Sequence, residues 1–313
     1  MTSSLHRVGT MPAAQRRAAS SPTGPSRVAT KTWELISPLG EGRWAKVYSA
    51  RIQGTAGADY AIKVPRLPHQ PTGSQTVQSV AMLKREVQIG SSMSHPHLAP
   101  VLDWQLRDEP FLVMPRLTGC TLRTLLAHRR REYGCLIGGT KFLPQSVWVV
   151  RQVAAALAAL HCSGWLHGDV KPENVVVSPQ GHATLIDLGL ARKLGSRECQ
   201  GGEVLAGILD YVSPESFLPA ATLTGESDVY SLGAMLYEML TGQPLFEDAD
   251  PTSIALWHLR QAPQDIREAA LDVPPALARI VMQMLSKEPL RRPAAEEVVR
   301  QLTRMEIELM ATA

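Results

Sequence analysis

The hydrophobic pattern changes character about a third of the way along the chain. From Trp33 onward come short stretches rich in Val, Ile and Tyr, set apart by turn residues: WELISPLG, AKVYSARI and DYAIKVPRL. This spacing predicts the opening strands of an antiparallel sheet. Residues 68–74 read as a loop. A helix is predicted over about 77–93, with Val80, Leu83 and Val87 recurring on one face away from the charges. HPHLAPVLDWQL and PFLVMPRL predict two further strands.

Beyond Gly119 the apolar period becomes helical. Residues 145–161 are apolar on most faces and predict a buried helix. Further helices are predicted over 227–240, 276–285 and 294–305, the last ending in an apolar stripe of Leu302, Met305 and Leu309. No internal repeat is apparent. The pattern therefore predicts an α+β chain, with a small β-rich lobe over about 33–114 and a larger helical lobe over about 118–307.

Length and composition fit this picture. The chain has 313 residues, 44% of them hydrophobic, enough for one large domain or two lobes. The apolar run over 147–162 is interrupted by Arg151 and Gln152, and falls short of the roughly 18 residues expected of a membrane span. The four cysteines, Cys120, Cys135, Cys162 and Cys199, form no C-x-x-C pair. They read as reduced thiols, and a cytoplasmic location is the expectation. The net charge is +3, but the first 31 residues carry Arg7, Arg16, Arg17, Arg27 and Lys31 with no acid. They read as a disordered basic arm, with Arg17-Ala-Ala-Ser20 a weak match to a phosphorylation site. The remainder is close to neutral, which argues against a nucleic-acid partner.

The chemistry is carried by an ordered set of motifs. LGEGRWAKV (39–47) has two glycines, Gly40 and Gly42, of the kind that let backbone N–H groups approach phosphates, with Ala45 where a third glycine would stand. Trp44 sits at the tip of that loop. YAIKV supplies Lys63, and the following helix supplies Glu86. HGDVKPEN supplies Asp169, Lys171 and Asn174, and IDLGLA supplies Asp187 thirteen residues after Asn174. The stretch between them, VVVSPQGHATLI, predicts a β-hairpin. Two hard oxygen donors at its base suit Mg²⁺.

Together these motifs resemble the eukaryotic-type (Hanks-type) serine/threonine protein kinase family, and the compact bacterial members most of all. The resemblance runs from about Leu39 to Arg292 and follows a known signature. It implies a bilobal fold, ATP and Mg²⁺, and a protein substrate. Leu39, Gly40, Glu41, Gly42, Val47 and Ala61 would line the nucleotide, with Met114 as gatekeeper and Leu117 on the hinge. Lys63, held by Glu86, would contact phosphates. Asp169 would orient the substrate hydroxyl, Lys171 would offset charge on the transferring group, and Asn174 and Asp187 would hold the metal.

GILDYVSPE (207–215) resembles the peptide-docking segment. Asp228 would anchor the catalytic-loop backbone, and Arg292 would pair with Glu215. A small-molecule phosphotransferase is the runner-up suggested by His167-Gly168-Asp169, and a pseudokinase scaffold is the other alternative.

Three positions depart from the family pattern. Gly168 replaces the arginine that holds a phosphorylated activation loop. Ile208 replaces the usual threonine. Gly90 falls where a bulky apolar residue would pack against Leu188. Two further features carry no chemistry here: Arg129, Arg130 and Arg131 read as a solvated helix end, and His95 and His97 as structural.

Overall fold

The computed structural model of the chain describes residues 32–66, 73–133, 142–196, 209–218, 221–248 and 250–312. The basic arm, Ile208, Cys135 and Cys199 lie outside them. The chain divides into two compact units, one of residues up to Val87 with Val101–Arg116, the other of Gln88–Pro100 with Leu117 onward.

In the first unit, five strands form one antiparallel sheet in the order β1-β2-β3-β5-β4. They are β1 (Trp33–Glu41), β2 (Ala45–Ile52), β3 (Tyr60–Pro65), β4 (Asp103–Gln105) and β5 (Phe111–Pro115), with helix α1 (Gly73–Gly90) following β3. Consecutive side chains on a strand face opposite ways. Val113 of β5 accordingly packs with Trp33, Ala50 and Ile62, while its neighbour Leu112 packs with Leu83 and Val87 of α1. Register places Val47 opposite Lys63 and Ala61 opposite Met114.

Two expectations need correction here. The helix starts at Gly73 and stops at Gly90, short of residue 93. Beyond it the Ser92 amide and hydroxyl both turn back to the Ile89 carbonyl, at 3.0 and 2.9 Å. Residues 95–102 are not a strand. Pro96 and Pro100 have no N–H for a ladder, and Leu98 turns back to the His95 carbonyl at 3.1 Å.

The second unit holds a three-stranded sheet of β6 (Cys120–Thr121), β8 (Val175–Val177) and β9 (Ala183–Leu185), and a pair of β7 (Trp165–Leu166) with β10 (Arg192–Lys193). Its helices are α2 (Leu122–Tyr133), α3 (Leu143–Cys162), α4 (Gly225–Thr241), α5 (Pro251–Arg260), α6 (Ile266–Ala269), α7 (Pro275–Met284) and α8 (Ala295–Thr312). The 95–99 turn docks on β9, with Ala99 N–H on the Leu185 carbonyl at 3.0 Å and Leu185 N–H on the His97 carbonyl at 2.9 Å.

Helix α4 is buried on nearly every face. It starts with a Thr224–Ser227 capping box and ends at Gly242 in the left-handed conformation, φ 75°. Helix α3 extends beyond the expected span to 20 residues, and by length and composition it is apolar enough to cross a membrane. Val147, Val150, Val153, Leu157 and Leu160 are wholly buried in the core of the unit, as in the central helix of a globular protein. Two of the three arginines closing α2 are not simply solvated either. Arg129 lies 4.3 Å over the Phe142 ring and donates to Gln145 Oε1 at 2.9 Å, and Arg130 donates to the Gly242 carbonyl at 2.7 Å.

Candidate active site

The sequence-predicted residues fall into both units. The first holds Leu39, Gly40, Glu41, Gly42, Val47, Ala61, Lys63, Glu86 and Met114. The second holds Leu117, Asp169, Lys171, Asn174 and Asp187.

In the first unit, the β1–β2 turn closes through the Gly42 amide on the Ala45 carbonyl at 2.8 Å. A Cβ on Gly40 would meet nothing within 4 Å. The protein's own packing therefore does not demand glycine there, which fits a backbone kept bare for close approach by a ligand. Lys63 on β3 and Glu86 on α1 form a buried ion pair, Nζ to Oε2 2.7 Å. Burying both charges is costly unless they are paired, so each fixes the other. Trp44 is half-buried under the Arg43 guanidinium, 4.8 Å from its ring.

In the second unit, Asp228 of α4 organises the loop before β8. Its carboxylate accepts the His167 amide at 2.7 Å and the Gly168 amide at 2.8 Å, and meets His161 Nε2 at 2.9 Å. Burial alone would raise its pKa, but these donors, His161 foremost, outweigh it and hold the carboxyl below the usual aspartate range. His167 accepts the Asp169 amide at Nδ1, which leaves Nε2–H for the Ile186 carbonyl at 3.2 Å.

Asp169 is thereby presented to two partners. Lys171 Nζ lies 2.8 Å from Oδ1, and Asn174 Nδ2 lies 2.8 Å from Oδ2 and 2.8 Å from the Asp169 carbonyl. Burial pushes the Asp169 carboxyl up, against the pull of Lys171, while nearby Asp187 adds to the rise. The expected hairpin is present as β8 and β9, paired Val175 to Leu185. Its base is closed by the Ile186 amide on the Asn174 carbonyl at 2.9 Å, which brings Asp187 to the side of Asn174. Asp187 has φ 68°, a conformation that is rare for a non-glycine residue. Such strain recurs at functional sites.

Past the site, Arg292 grips Glu215 through two bonds of 2.7 Å, and Ser227 adds a third contact to the same carboxylate at 2.6 Å. Leu188 packs in the same core as Ile89, the residue beside Gly90.

A family profile described as the protein kinase domain matches residues 33–302. This chain belongs to the protein kinase domain family. Its relatives include the serine/threonine-protein kinase PknD of Mycobacterium tuberculosis, 31% identical over 83% of this chain and 37% of that protein. PknB of Mycolicibacterium smegmatis is 31% identical over 83% of this chain and 40% of that protein. PrkC of Bacillus subtilis is 26% identical over 83% of this chain and 38% of that protein. The chain thus spans about two-fifths of the length of these relatives. The resemblance to bacterial serine/threonine kinases holds, as does the α+β fold of a β-rich and a helical unit.

Sequence reasoning missed one constellation in this kinase domain. Arg123 of α2 donates to Glu173 Oε1 at 2.8 Å, to Glu238 Oε1 at 2.7 Å and to the Tyr211 hydroxyl, which itself donates to Glu238 Oε2. One signal was available. Glu238 is an acid in the apolar second half of α4, LGAMLYEML, and a buried carboxylate requires a cationic partner.

Proposed function

We propose that this chain is an ATP- and Mg²⁺-dependent protein kinase that transfers phosphate to serine or threonine hydroxyls. The observation that carries the reading is the Asp169 carboxylate, held at once by Lys171 and Asn174 beside the base of the hairpin that ends in Asp187. Phosphoryl transfer asks for positioning and charge neutralisation more than for covalent chemistry. Asp169 would take up or orient the hydroxyl proton, and its raised pKa favours that role. Lys171 would offset charge on the moving group.

The donor set fits the metal. Asn174 commits its amide nitrogen to Asp169, leaving Oδ1 for a cation, and Asp187 supplies a carboxylate. Asn174 and Asp187 would hold Mg²⁺, whose positive charge would help offset the charge on the phosphates. Gly40 and Gly42 would receive phosphates, Lys63 held by Glu86 would contact them, and Leu39, Glu41, Val47, Ala61, Met114 and Leu117 would border the nucleotide. The names of the relatives, all serine/threonine-protein kinases, support the hydroxyl preference. Glu215–Arg292 supports a protein substrate, because that pair orders a docking segment a small-molecule phosphotransferase would not need. A cytoplasmic location belongs to the same proposal and rests on the cysteine spacing.

The test is purified protein with labelled ATP and Mg²⁺, assayed for self-phosphorylation, transfer to a generic basic protein and transfer to small alcohols. Transfer to the protein at serine or threonine supports the reading. Transfer to alcohols alone favours the small-molecule alternative. ATP binding with no transfer favours a pseudokinase scaffold.

A further inference from the structure

A second buried polar array lies in the helical unit, away from Asp169 in sequence. His258 of α5 is wholly buried, with its Nδ1 2.9 Å from the Tyr230 hydroxyl of α4. Lys287 Nζ lies 3.2 Å from that hydroxyl and 3.3 Å from the Trp257 carbonyl. A lysine ammonium only donates. The Tyr230 oxygen therefore accepts from Lys287, and among the described residues its own O–H has His258 Nδ1 as the acceptor within reach. Burial, reinforced by the charge of Lys287, holds the imidazole pKa down to about 3, so the ring is neutral at ordinary pH. A neutral ring that accepts at Nδ1 must carry its proton at Nε2.

That Nε2–H has no acceptor in hydrogen-bond geometry among the described residues. A buried donor left without a partner is costly and calls for an explanation. The Asp210 backbone is near enough to the ring to raise its proton affinity. Asp210 precedes Tyr211, which is tied to Arg123 and Glu238, and Phe217 at the far end of the same segment stacks on the His258 ring at 6.3 Å. His258 thus faces both ends of residues 210–217.

We propose that Lys287, Tyr230 and His258 form a buried donor relay whose open end, His258 Nε2–H, latches the Asp210 carbonyl and positions the 209–217 segment for the protein substrate. His258 and Tyr230 are positioning residues and do not touch the reacting atoms. The substrate side of this proposal rests on the kinase reading above; the latch itself does not.

The experiment compares the full chain with His258→Phe, Tyr230→Phe, the double variant and His258→Gln, whose amide restores an N–H near the place of Nε2. Two readouts are taken. The first is hydrogen exchange of the amides in 209–217. It accelerates at least fivefold in His258→Phe and Tyr230→Phe, no further in the double variant, and returns toward wild type in His258→Gln. The second is steady-state transfer to a generic basic protein. KM for that protein rises about tenfold in the same variants, while KM for ATP and kcat change less than twofold.

Unchanged exchange in 209–217, additive effects in the double variant, or His258→Gln behaving like His258→Phe overturns the relay. Equal losses in both KM values and kcat, with a lowered melting temperature, mark a purely structural role and overturn it as well. If wild type transfers no phosphate, the kinase reading fails, and the exchange measurement still decides the latch.

Discussion

Gly168 lies against the backbone of Leu190: a Cβ built on it would stand 2.8 Å from the Leu190 carbonyl oxygen. Its φ is +75°, a conformation L side chains rarely adopt. The glycine is therefore matched to its surroundings, and the arginine usual in the family cannot simply be put back.

Gly168→Arg should lower stability by about 1–3 kcal/mol, the range for a strained backbone conformation. It should bring no gain in transfer rate. Denaturant unfolding and initial rates of the two proteins check this. A variant as stable as wild type and several-fold faster would show that the loop accommodates the side chain.

Without that cation, a phosphate on the activation loop has lost its usual partner. Ser196 is the only serine or threonine hydroxyl between Asp187 and the docking segment. Ser196→Ala and phosphatase treatment should each leave the initial rate on an added substrate within about twofold. A tenfold fall, about 1.4 kcal/mol in barrier, would mean that another residue has taken over the role of the arginine.

Asp169→Asn keeps the shape of the site but removes the proton acceptor. Phosphoryl transfer should fall by about 10²-fold or more. ATP binding, followed by thermal shift, should survive, because Asp169 is not assigned to the nucleotide. Retention of most activity would remove Asp169 from its proposed role.

Asp187→Ala removes the main carboxylate of the proposed metal site. Wild type should be stabilised thermally by Mg-ATP through mass action, and the variant should lose most of that shift. Equal shifts in both proteins would move the metal elsewhere.

The Glu215–Arg292 pair makes a prediction about pH. Burial pushes the Glu215 carboxyl up, but Arg292, and then Ser227, outweigh it, so its folded pKa lies below the ordinary 4.5. A depressed folded pKa means stabilisation that is fully present above about 4.5 and is lost as pH falls through the folded value. Arg292→Met should cost about 3–5 kcal/mol near neutral pH, as for any buried pair deprived of one partner. That cost should shrink on acidification below 4.5, where Glu215 becomes neutral in the unfolded chain and then in the folded one. Unfolding curves at several pH values measure it, and a cost independent of pH would exclude the charge as its source.

Sequence by itself determined the parts whose geometry is local. The hairpin of β8 and β9 follows from the thirteen-residue spacing of Asn174 and Asp187, because two short strands and a turn leave the flanking residues side by side. The strands around Lys63 and the apolar helices are likewise written in residue order, since backbone preference and burial period act over a few neighbours. The motif pairs Lys63–Glu86 and Glu215–Arg292 could be named only by resemblance.

Tertiary structure alone decided the rest. Arg123 stands 50 residues from Glu173 and 115 from Glu238, yet one guanidinium serves both. His258 is a lone histidine in an amphipathic stretch until α4 brings Tyr230 against it. Residues 95–102 are apolar enough to read as a strand, but two prolines withhold N–H groups and the turn docks on β9 instead. Periodicity records which face of an element is buried. It does not record which distant polar group that face will meet, because the pairing depends on how helices and strands remote in sequence pack together.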